Sequence, residues 1–305
     1  MSFENRKKIS VITTTFNLMK GGRKDVFIEM FKSVHSQTYP NIEHLIIDGG
    51  SKDGTIEFIN KVNQKYGKKQ LVIFSEPDEG ITDATRKGFK HSTGDYVILM
   101  CSDDYYLRKD ALELLADAIE KENVDYACAD GWWLFKKSWK ADISSFVYRQ
   151  PFLITAWLVK RSVFEKYGHF DNYFQCLGDY ELFFRILSKS DVKGVEVHKV
   201  LTCLRPGGFS SDPDLGEKYI KDLIVLYRCY LNGNLQISRE DSVQIHCCIP
   251  SQELINRVKR HEKNSLILQS FEEGLSYKRP KLIRKEAFKD KLLYPFFKFF
   301  YSLRI

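Results

Sequence analysis

The residues best able to do chemistry fall in four short polar clusters: Thr14-Thr15-Phe16-Asn17, Asp48-Gly49-Gly50-Ser51, Ser75-Glu76-Pro77-Asp78 and Ser102-Asp103-Asp104. The adjacent carboxylates Asp103 and Asp104 are hard oxygen donors. They suit Mg²⁺ or Mn²⁺, which keeps several waters and shares its remaining positions with phosphate oxygens. The same pair also reads as a turn with a helix N-cap, which needs no metal. The turn from Asp48 to Thr55 is glycine-rich. Its glycines permit close approach of a ligand, and Asp48 can accept hydrogen bonds from a base or a ribose. Neither G-x-x-x-x-G-K-[ST] nor G-x-G-x-x-G is present, which argues against a P-loop and against a dinucleotide oxidoreductase.

Such clusters need a scaffold that brings them together. Residues 9–14 (ISVITT), 44–48 (HLIID), 71–75 (LVIFS) and 96–101 (YVILMC) read as short buried strands. Helical spacing follows each of them: Val26, Phe27, Met30, Phe31 and Val34 before Tyr39-Pro40, then residues 55–62, 82–90 and 109–122. Alternation of this kind predicts right-handed β-α-β units and a mostly parallel, Rossmann-like α/β sheet flanked by helices. Each polar cluster then sits at the carboxyl end of a strand, where open α/β sheets bind ligands. Residues 124–147, crowded with Trp132, Trp133, Phe135, Trp139 and Phe146, read as mixed strands and loops covering one end of the sheet. Helices are expected at 161–167 and 179–188, a strand at 195–204, and helices at 217–231 and 251–268. The tryptophans at 132, 133, 139 and 157 can stack on sugar rings or fill the core.

The chain has 305 residues, 43% of them hydrophobic, with 18 glycines and 8 prolines, which excludes collagen-like, repeat-coded and wholly disordered classes. No apolar run approaches the ~20 residues of a membrane span, since residues 292–303 are interrupted by Pro295 and Lys298. The charged opening MSFENRKKIS does not resemble a secretory signal, so a cytoplasmic location is expected. Seven cysteines, odd in number and without a C-x-x-C pair, are expected to be reduced thiols. The formal charge of +7 is concentrated in residues 278–305, which hold nine basic residues against two acidic ones and are interleaved with aromatics. Such a tail suits an anionic membrane surface. The alternative is a tail helix docked on its own domain.

Taken in order, ISVITTTFN, SVHSQTYPNIEHLIIDGGSKDGT, SEPDEGITDA and GDYVILMCSDD resemble the nucleotide-sugar-binding half of glycosyltransferase family 2. The resemblance spans residues 9–104 almost continuously. It implies a GT-A fold, a divalent metal, a nucleotide-sugar donor with UDP favoured, and transfer with inversion at the anomeric carbon. Carried over by position, Thr14, Phe16, Asp48 and Asp78 belong near the nucleoside. Asp103 and Asp104 match the D-x-D-type acids that hold the ribose and the metal-bound diphosphate. The chain departs from the family pattern at Gly49, where many members have a second Asp, and at Thr82 and Arg86, where related members have Tyr and Asn. Arg86 is counted among the donor-binding candidates.

The segment LGDYELFFR from Leu177 is similar to the family's acidic motif at the start of an acceptor-side helix, which makes Asp179 the expected catalytic base and Glu181 the second choice. Inversion by in-line displacement requires such a carboxylate; a plain helix cap is the alternative. RPGGFS from Arg205 resembles a late turn of related transferases, so Arg205 is expected to close over the diphosphate. His198 is expected either to complete the metal shell or to be a satisfied strand histidine. The implied organisation is a GT-A catalytic domain over 1–212 (donor half 1–104, acceptor half 105–212), a helical extension over 213–277 and the basic tail over 278–305. The expected partners are a nucleotide-sugar donor, a saccharide acceptor that is lipid-linked, and a membrane surface reached through the tail at the inner face of the cell membrane, with no nucleic acid. A sugar nucleotidyltransferase using Met19 to Lys24 as its loop, and a non-enzymatic membrane- or nucleic-acid-binding module, are the alternatives from other classes.

Overall fold

The computed structural model describes residues 6–134, 137–174, 176–205, 216–231, 235–248 and 250–276. The turn at 206–210 and the tail at 278–305 lie outside the described residues. The chain divides into two compact units. The first comprises Met1–Ala141, Phe152–Phe170 and Val192–Arg205, and the second Asp142–Pro151, Asp171–Asp191 and Pro206–Ile305.

The first unit is built on β1 (Ile9–Thr15), β2 (Ile42–Asp48), β3 (Gln70–Ser75) and β4 (Tyr96–Leu99), which lie parallel in the order β3-β2-β1-β4. β1 and β2 are covered on both faces, which is why their sequences are apolar runs rather than alternations. The sheet continues through β8 (Trp157–Lys160), β6 (Tyr126–Trp133), β9 (Gly194–Leu204) and β5 (Tyr105–Tyr106), with β7 (Lys137–Trp139) paired to β6. β8 runs antiparallel to both β4 and β6, β5 antiparallel to β9, and β6 parallel to β9.

Helices α1 (Lys24–His35), α2 (Thr55–Tyr66), α3 (Ile81–His91), α4 (Ala111–Glu122) and α5 (Arg161–Tyr167) flank the sheet. Phe27, Met30, Phe31 and Val34 of α1 and Leu112, Leu115 and Ile119 of α4 join Ile9, Val11, Ile46 and Ile98 of the sheet in one core. α3 lies so close to β1 and β2 that a Cβ at Gly88 would stand 2.4 Å from Ile12 Cγ2 and 3.2 Å from Ile47 Cγ1. Glycine there sets the spacing of helix and sheet.

Inside this core a directional hydrogen-bond chain joins four segments. The amides of Lys68 and Lys69 donate to His35 Nδ1 at 3.0 and 3.1 Å. That leaves His35 Nε2 to donate to His44 Nδ1 at 3.2 Å, and His44 Nε2 to donate to Thr13 Oγ1 at 3.1 Å. Burial pushes His35 down to about 4, helped by the charge of Lys69, and holds the wholly buried His44 well below its ordinary value.

The second unit holds α6 (Gly178–Leu187), α7 (Gly216–Tyr230), α8 (Arg239–His246), α9 (Gln252–His261) and α10 (Ser265–Ser276). Residues 251–268, expected as one helix, are two. The chain leaves α9 at Glu262 in an extended conformation, and the Asn264 side chain accepts the amide of Leu266 at 3.0 Å to open α10. The ring of Phe184 packs edge-on against Phe146 at 5.2 Å and meets Tyr230 at 5.3 Å. All seven cysteines are free thiols, as expected. Among the described residues no helix is long and apolar enough to cross a membrane.

Candidate functional site

The ends of β1, β2 and β3 meet at Asp48, whose register partners are Thr15 and Ser75. Its Oδ1 accepts Thr15 Oγ1 at 3.1 Å and Ser51 Oγ at 2.6 Å, and its Oδ2 accepts the Ser51 amide and Ser75 Oγ, both at 2.8 Å. Ser51 Oγ in turn accepts the amide of Asn17 at 2.7 Å. Asp48 is fully buried and every oxygen position is filled by a protein donor. It organises the turn that follows β2.

The surface above this hub is made by Phe16, Gly49 and Asp78. Phe16 is 63% exposed directly after β1. A Cβ at Gly49 would stand 2.6 Å from Asp78 Oδ2 and 3.1 Å from the Phe16 ring, so glycine alone lets the ring and the carboxylate close over position 49. Asp78 Oδ1 accepts the Gly80 amide at 2.9 Å. Thr14, beside them in β1, is half-buried and its hydroxyl has no protein partner among the described residues. An exposed aromatic face beside an acceptor is a platform for a planar heterocycle carrying N–H groups.

Asp103 and Asp104 follow β4 and are both buried. Arg23, at the start of α1, pairs with Asp103. Asp104 Oδ1 accepts the Arg205 amide at 2.9 Å and the Cys101 thiol lies against the carboxylate, whereas Asp104 Oδ2 is buried with no hydrogen-bond partner. Burial, reinforced by the adjacent Asp103 charge, pushes Asp104 up to about 8. A buried carboxylate oxygen that no protein group serves, next to a second carboxylate, fits a hard divalent cation. Among the described residues no cluster of three or more acidic, His or Cys side chains forms a complete cage. The pair therefore suits an ion that takes its other ligands from water and phosphate.

Three expected site residues stand elsewhere or act otherwise. Arg205 is spent on protein: Nη1 donates to the Asp103 carbonyl at 2.7 Å, Nη2 pairs with Glu29, and the guanidinium lies 4.2 Å above the Tyr105 ring. It braces the two aspartates. His198 contacts Glu196 and Asp130 at 3.4 and 3.7 Å. Val197 and Leu204 face Ala129 and Trp133 on β6, four residues apart, so His198 lies roughly 13 Å along the sheet from the strand end that meets Asp104. Arg86, on α3, lines a cavity of about 620 Å³ together with Lys90, Arg161, Phe164 and His169, and none of the strand-end residues above belongs to that lining.

In the second unit Asp179 opens α6. Its Oδ1 accepts the Tyr180 amide and its Oδ2 accepts Gln150 Nε2, both at 2.8 Å. Burial pushes its carboxyl up to about 6 against these hydrogen bonds. Glu181 is buried and held by Arg185 at 2.7 and 2.9 Å and by the Tyr230 hydroxyl, so an ion pair and a hydrogen bond already engage both of its oxygens. Asp222 of α7 accepts the amides of Cys176 and Leu177 at 2.7 and 3.1 Å and secures the entry to α6. Sequence reasoning missed the bonds of Arg23 to Asp103, of Gln150 to Asp179 and of Asp222 to the entry of α6. Each joins residues at least 29 positions apart, and no local motif marks it.

The family model of glycosyl transferase family 2 matches residues 10–176. A PGL/p-HBAD biosynthesis glycosyltransferase of Mycobacterium tuberculosis is 24% identical over 218 residues, covering 70% of this chain and 83% of that one. A cholesterol galactosyltransferase of Borreliella burgdorferi is 31% identical over 125 residues, 41% of this chain and 33% of that one. Among solved structures, S. aureus TarS 1–349 in complex with UDP-GlcNAc superposes with a TM-score of 0.58 at 17% identity, over 85% of this chain and 74% of that one. The mannosyltransferase PcManGT from Pyrobaculum calidifontis, in complex with GDP-Man and Mn²⁺, gives 0.59 at 16% identity, over 99% and 85% of the two chains. The mostly parallel sheet flanked by helices is thus the GT-A glycosyltransferase fold, and the match over more than half of its length shows that the chain belongs to glycosyl transferase family 2.

Proposed function

We propose that this glycosyltransferase is inverting and metal-dependent, and that it moves a sugar from a nucleotide-sugar, with a UDP-sugar favoured, to a lipid-linked saccharide acceptor in glycoconjugate synthesis. The observation that carries the reading is Asp104 Oδ2, a buried carboxylate oxygen without a donor beside Asp103, at the same sheet edge as the Phe16, Gly49 and Asp78 surface. Asp103 and Asp104 would hold Mg²⁺ or Mn²⁺, which when bound offsets the charge that develops on the departing diphosphate. Thr14, Phe16 and Asp78 receive the nucleoside, with the base stacked on Phe16. The Asp48 hub keeps the Gly49 turn in place beneath it.

Asp179 takes the proton of the acceptor hydroxyl. The hydroxyl oxygen forms its bond to the anomeric carbon while the bond from that carbon to the diphosphate oxygen breaks on the opposite face. The electron pair leaves with the nucleoside diphosphate, and the configuration inverts. The upward push on Asp179 makes it a stronger base than a free carboxylate while it stays mostly ionised near pH 7. UDP is favoured because TarS was solved with UDP-GlcNAc, and a lipid acceptor because one relative is named a cholesterol galactosyltransferase. The basic aromatic segment 278–305 would bring the enzyme to the inner face of the membrane.

The test is a panel of nucleoside diphosphates and nucleotide-sugars with and without Mn²⁺, read by thermal shift and by release of nucleoside diphosphate. UDP should stabilise the protein only with metal. Asp104→Asn should abolish that effect. Metal-independent stabilisation by UDP that survives in Asp104→Asn would sink the metal assignment.

A further inference from the structure

The carboxylate of Asp179 is not held by its own helix alone. Gln150 lies 29 residues earlier, on the segment Asp142–Pro151 that begins with a 3-10 turn at Ile143–Ser145, yet its side-chain amide reaches Asp179 Oδ2 at 2.8 Å. That segment is fixed from three helices through one residue. The Val147 carbonyl accepts the hydroxyls of Tyr180 on α6 at 2.9 Å and of Tyr227 on α7 at 2.7 Å, and the Val147 amide donates to Ser270 Oγ on α10 at 3.0 Å. The segment also closes on itself, with the Asp142 amide donating to the Pro151 carbonyl at 3.0 Å and Arg149 paired with Asp142 at 2.9 Å. Gln150 is therefore carried by a braced backbone and not by a loose loop.

We infer that Gln150 is a positioning residue: it clamps one oxygen of Asp179 so that the carboxylate presents its remaining lone pairs in a single orientation to the proton it removes. The inference rests on the reading of Asp179 as the base. A side-chain amide suits the task because it donates without carrying charge, so it orients the carboxylate without neutralising it.

The charged groups around Asp179 are engaged elsewhere. On α7 Asp222 takes the amides of Cys176 and Leu177, and on the 142–151 segment Arg149 is paired with Asp142. On α6 itself Glu181 is paired with Arg185, and His246 of α8 meets the rings of Tyr180 and Tyr219. The influences on the Asp179 carboxyl are burial, which raises it, and the Tyr180 and Asp179 amides with the Gln150 side chain, which lower it. Gln150 is the one of these that a side-chain substitution can remove.

The experiment compares pH profiles of kcat at saturating donor for the parental enzyme, Gln150→Met, Gln150→Glu and Asp179→Asn. Gln150→Met keeps the length of the side chain and deletes the donor. Its kcat should fall about 10- to 100-fold, with the donor KM within about twofold and the acid limb moved to higher pH. Gln150→Glu should move the limb further, because a second carboxyl beside Asp179 disfavours its charge. Retained stabilisation by UDP with Mn²⁺ shows that each variant is folded, and if Gln150→Met is not, Gln150→Glu decides. An acid limb that stays in place in the folded variant overturns the positioning role, while an inactive Asp179→Asn leaves the base reading intact. Undiminished transfer by Asp179→Asn overturns the base reading itself.

Discussion

Arg23 donates from Nη2 to Asp103 Oδ2 across 80 residues of sequence, so the residue that precedes α1 supplies the counter-charge for the acidic pair after β4. The ion pair covers one carboxylate of the two that would meet a divalent cation. Arg23→Gln should therefore tighten Mn²⁺ binding by roughly 3- to 10-fold, because a cation no longer competes for Asp103. The metal-free protein should lose about 1–3 kcal/mol, since a buried carboxylate is left with a weaker partner. Manganese titration followed by electron paramagnetic resonance, with urea unfolding alongside, reads both effects. Unchanged Mn²⁺ affinity would show that the pair has no bearing on metal binding.

Gly49 separates donor recognition from folding. Its backbone is not in the left-handed region, so alanine is conformationally acceptable, yet the new Cβ would stand 2.6 Å from Asp78 Oδ2. Gly49→Ala should push Asp78 and Phe16 apart and weaken UDP binding about tenfold, a loss near 1.4 kcal/mol. The melting temperature should move by only a few degrees, because the Gly49 amide keeps its 2.9 Å bond to the Thr15 carbonyl. Calorimetric titration with UDP and Mn²⁺ is the check.

The His35 and His44 pair makes the first unit acid-sensitive. Both imidazoles are neutral in the folded state and would bind protons at 6.5 when unfolded. Below that value the unfolded chain takes up protons that the folded one refuses. Stability is therefore intact above about pH 6.5 and is lost progressively as pH falls toward about 4. Urea unfolding at pH 7.5, 5.5 and 4.5 should show the decline, and the double variant His35→Gln/His44→Gln, which cannot titrate, should flatten it. An equal decline in the double variant would assign the acid sensitivity to the carboxylates.

The basic tail can be tested without reference to its structure. Removing residues 278–305 takes away nine basic residues against two acidic ones and should weaken association with anionic vesicles. Donor hydrolysis should be spared. Sedimentation with vesicles containing phosphatidylserine, compared with neutral vesicles, measures the change; equal sedimentation of the full and shortened chains removes the membrane role.

The β3-β2-β1-β4 part of the sheet was legible because β1 to β4 are contiguous apolar runs and their polar residues follow at the carboxyl ends. Asp48, Asp78, Asp103 and Asp104 could be placed at one sheet edge from that pattern alone. What each carboxylate does was not legible, since Thr15, Ser51 and Ser75 fill Asp48 while nothing fills Asp104 Oδ2, and only packing decides between the two. β8 escaped because four residues, WLVK, carry too little period to distinguish strand from helix. The bracing of Asp104 by Arg205 depends on β5 pairing with β9 nearly one hundred residues later, a long-range register with no local signal. His198, open between a ligand and a satisfied strand histidine, contacts Glu196 and Asp130, partners that local spacing along β9 does not single out.

The anchor at Val147 has an evolutionary consequence. It is made of main-chain atoms, so the side chain at 147 can drift among apolar residues of similar size without touching it. The constraint falls instead on Tyr180, Tyr227 and Ser270. Two of these serve the same carbonyl, whose two lone pairs are both used. Tyr180→Phe or Tyr227→Phe alone leaves that oxygen satisfied once, whereas the pair together strands it in the interior. The tyrosines thus back each other up, and the cost of losing both exceeds the sum of the separate losses.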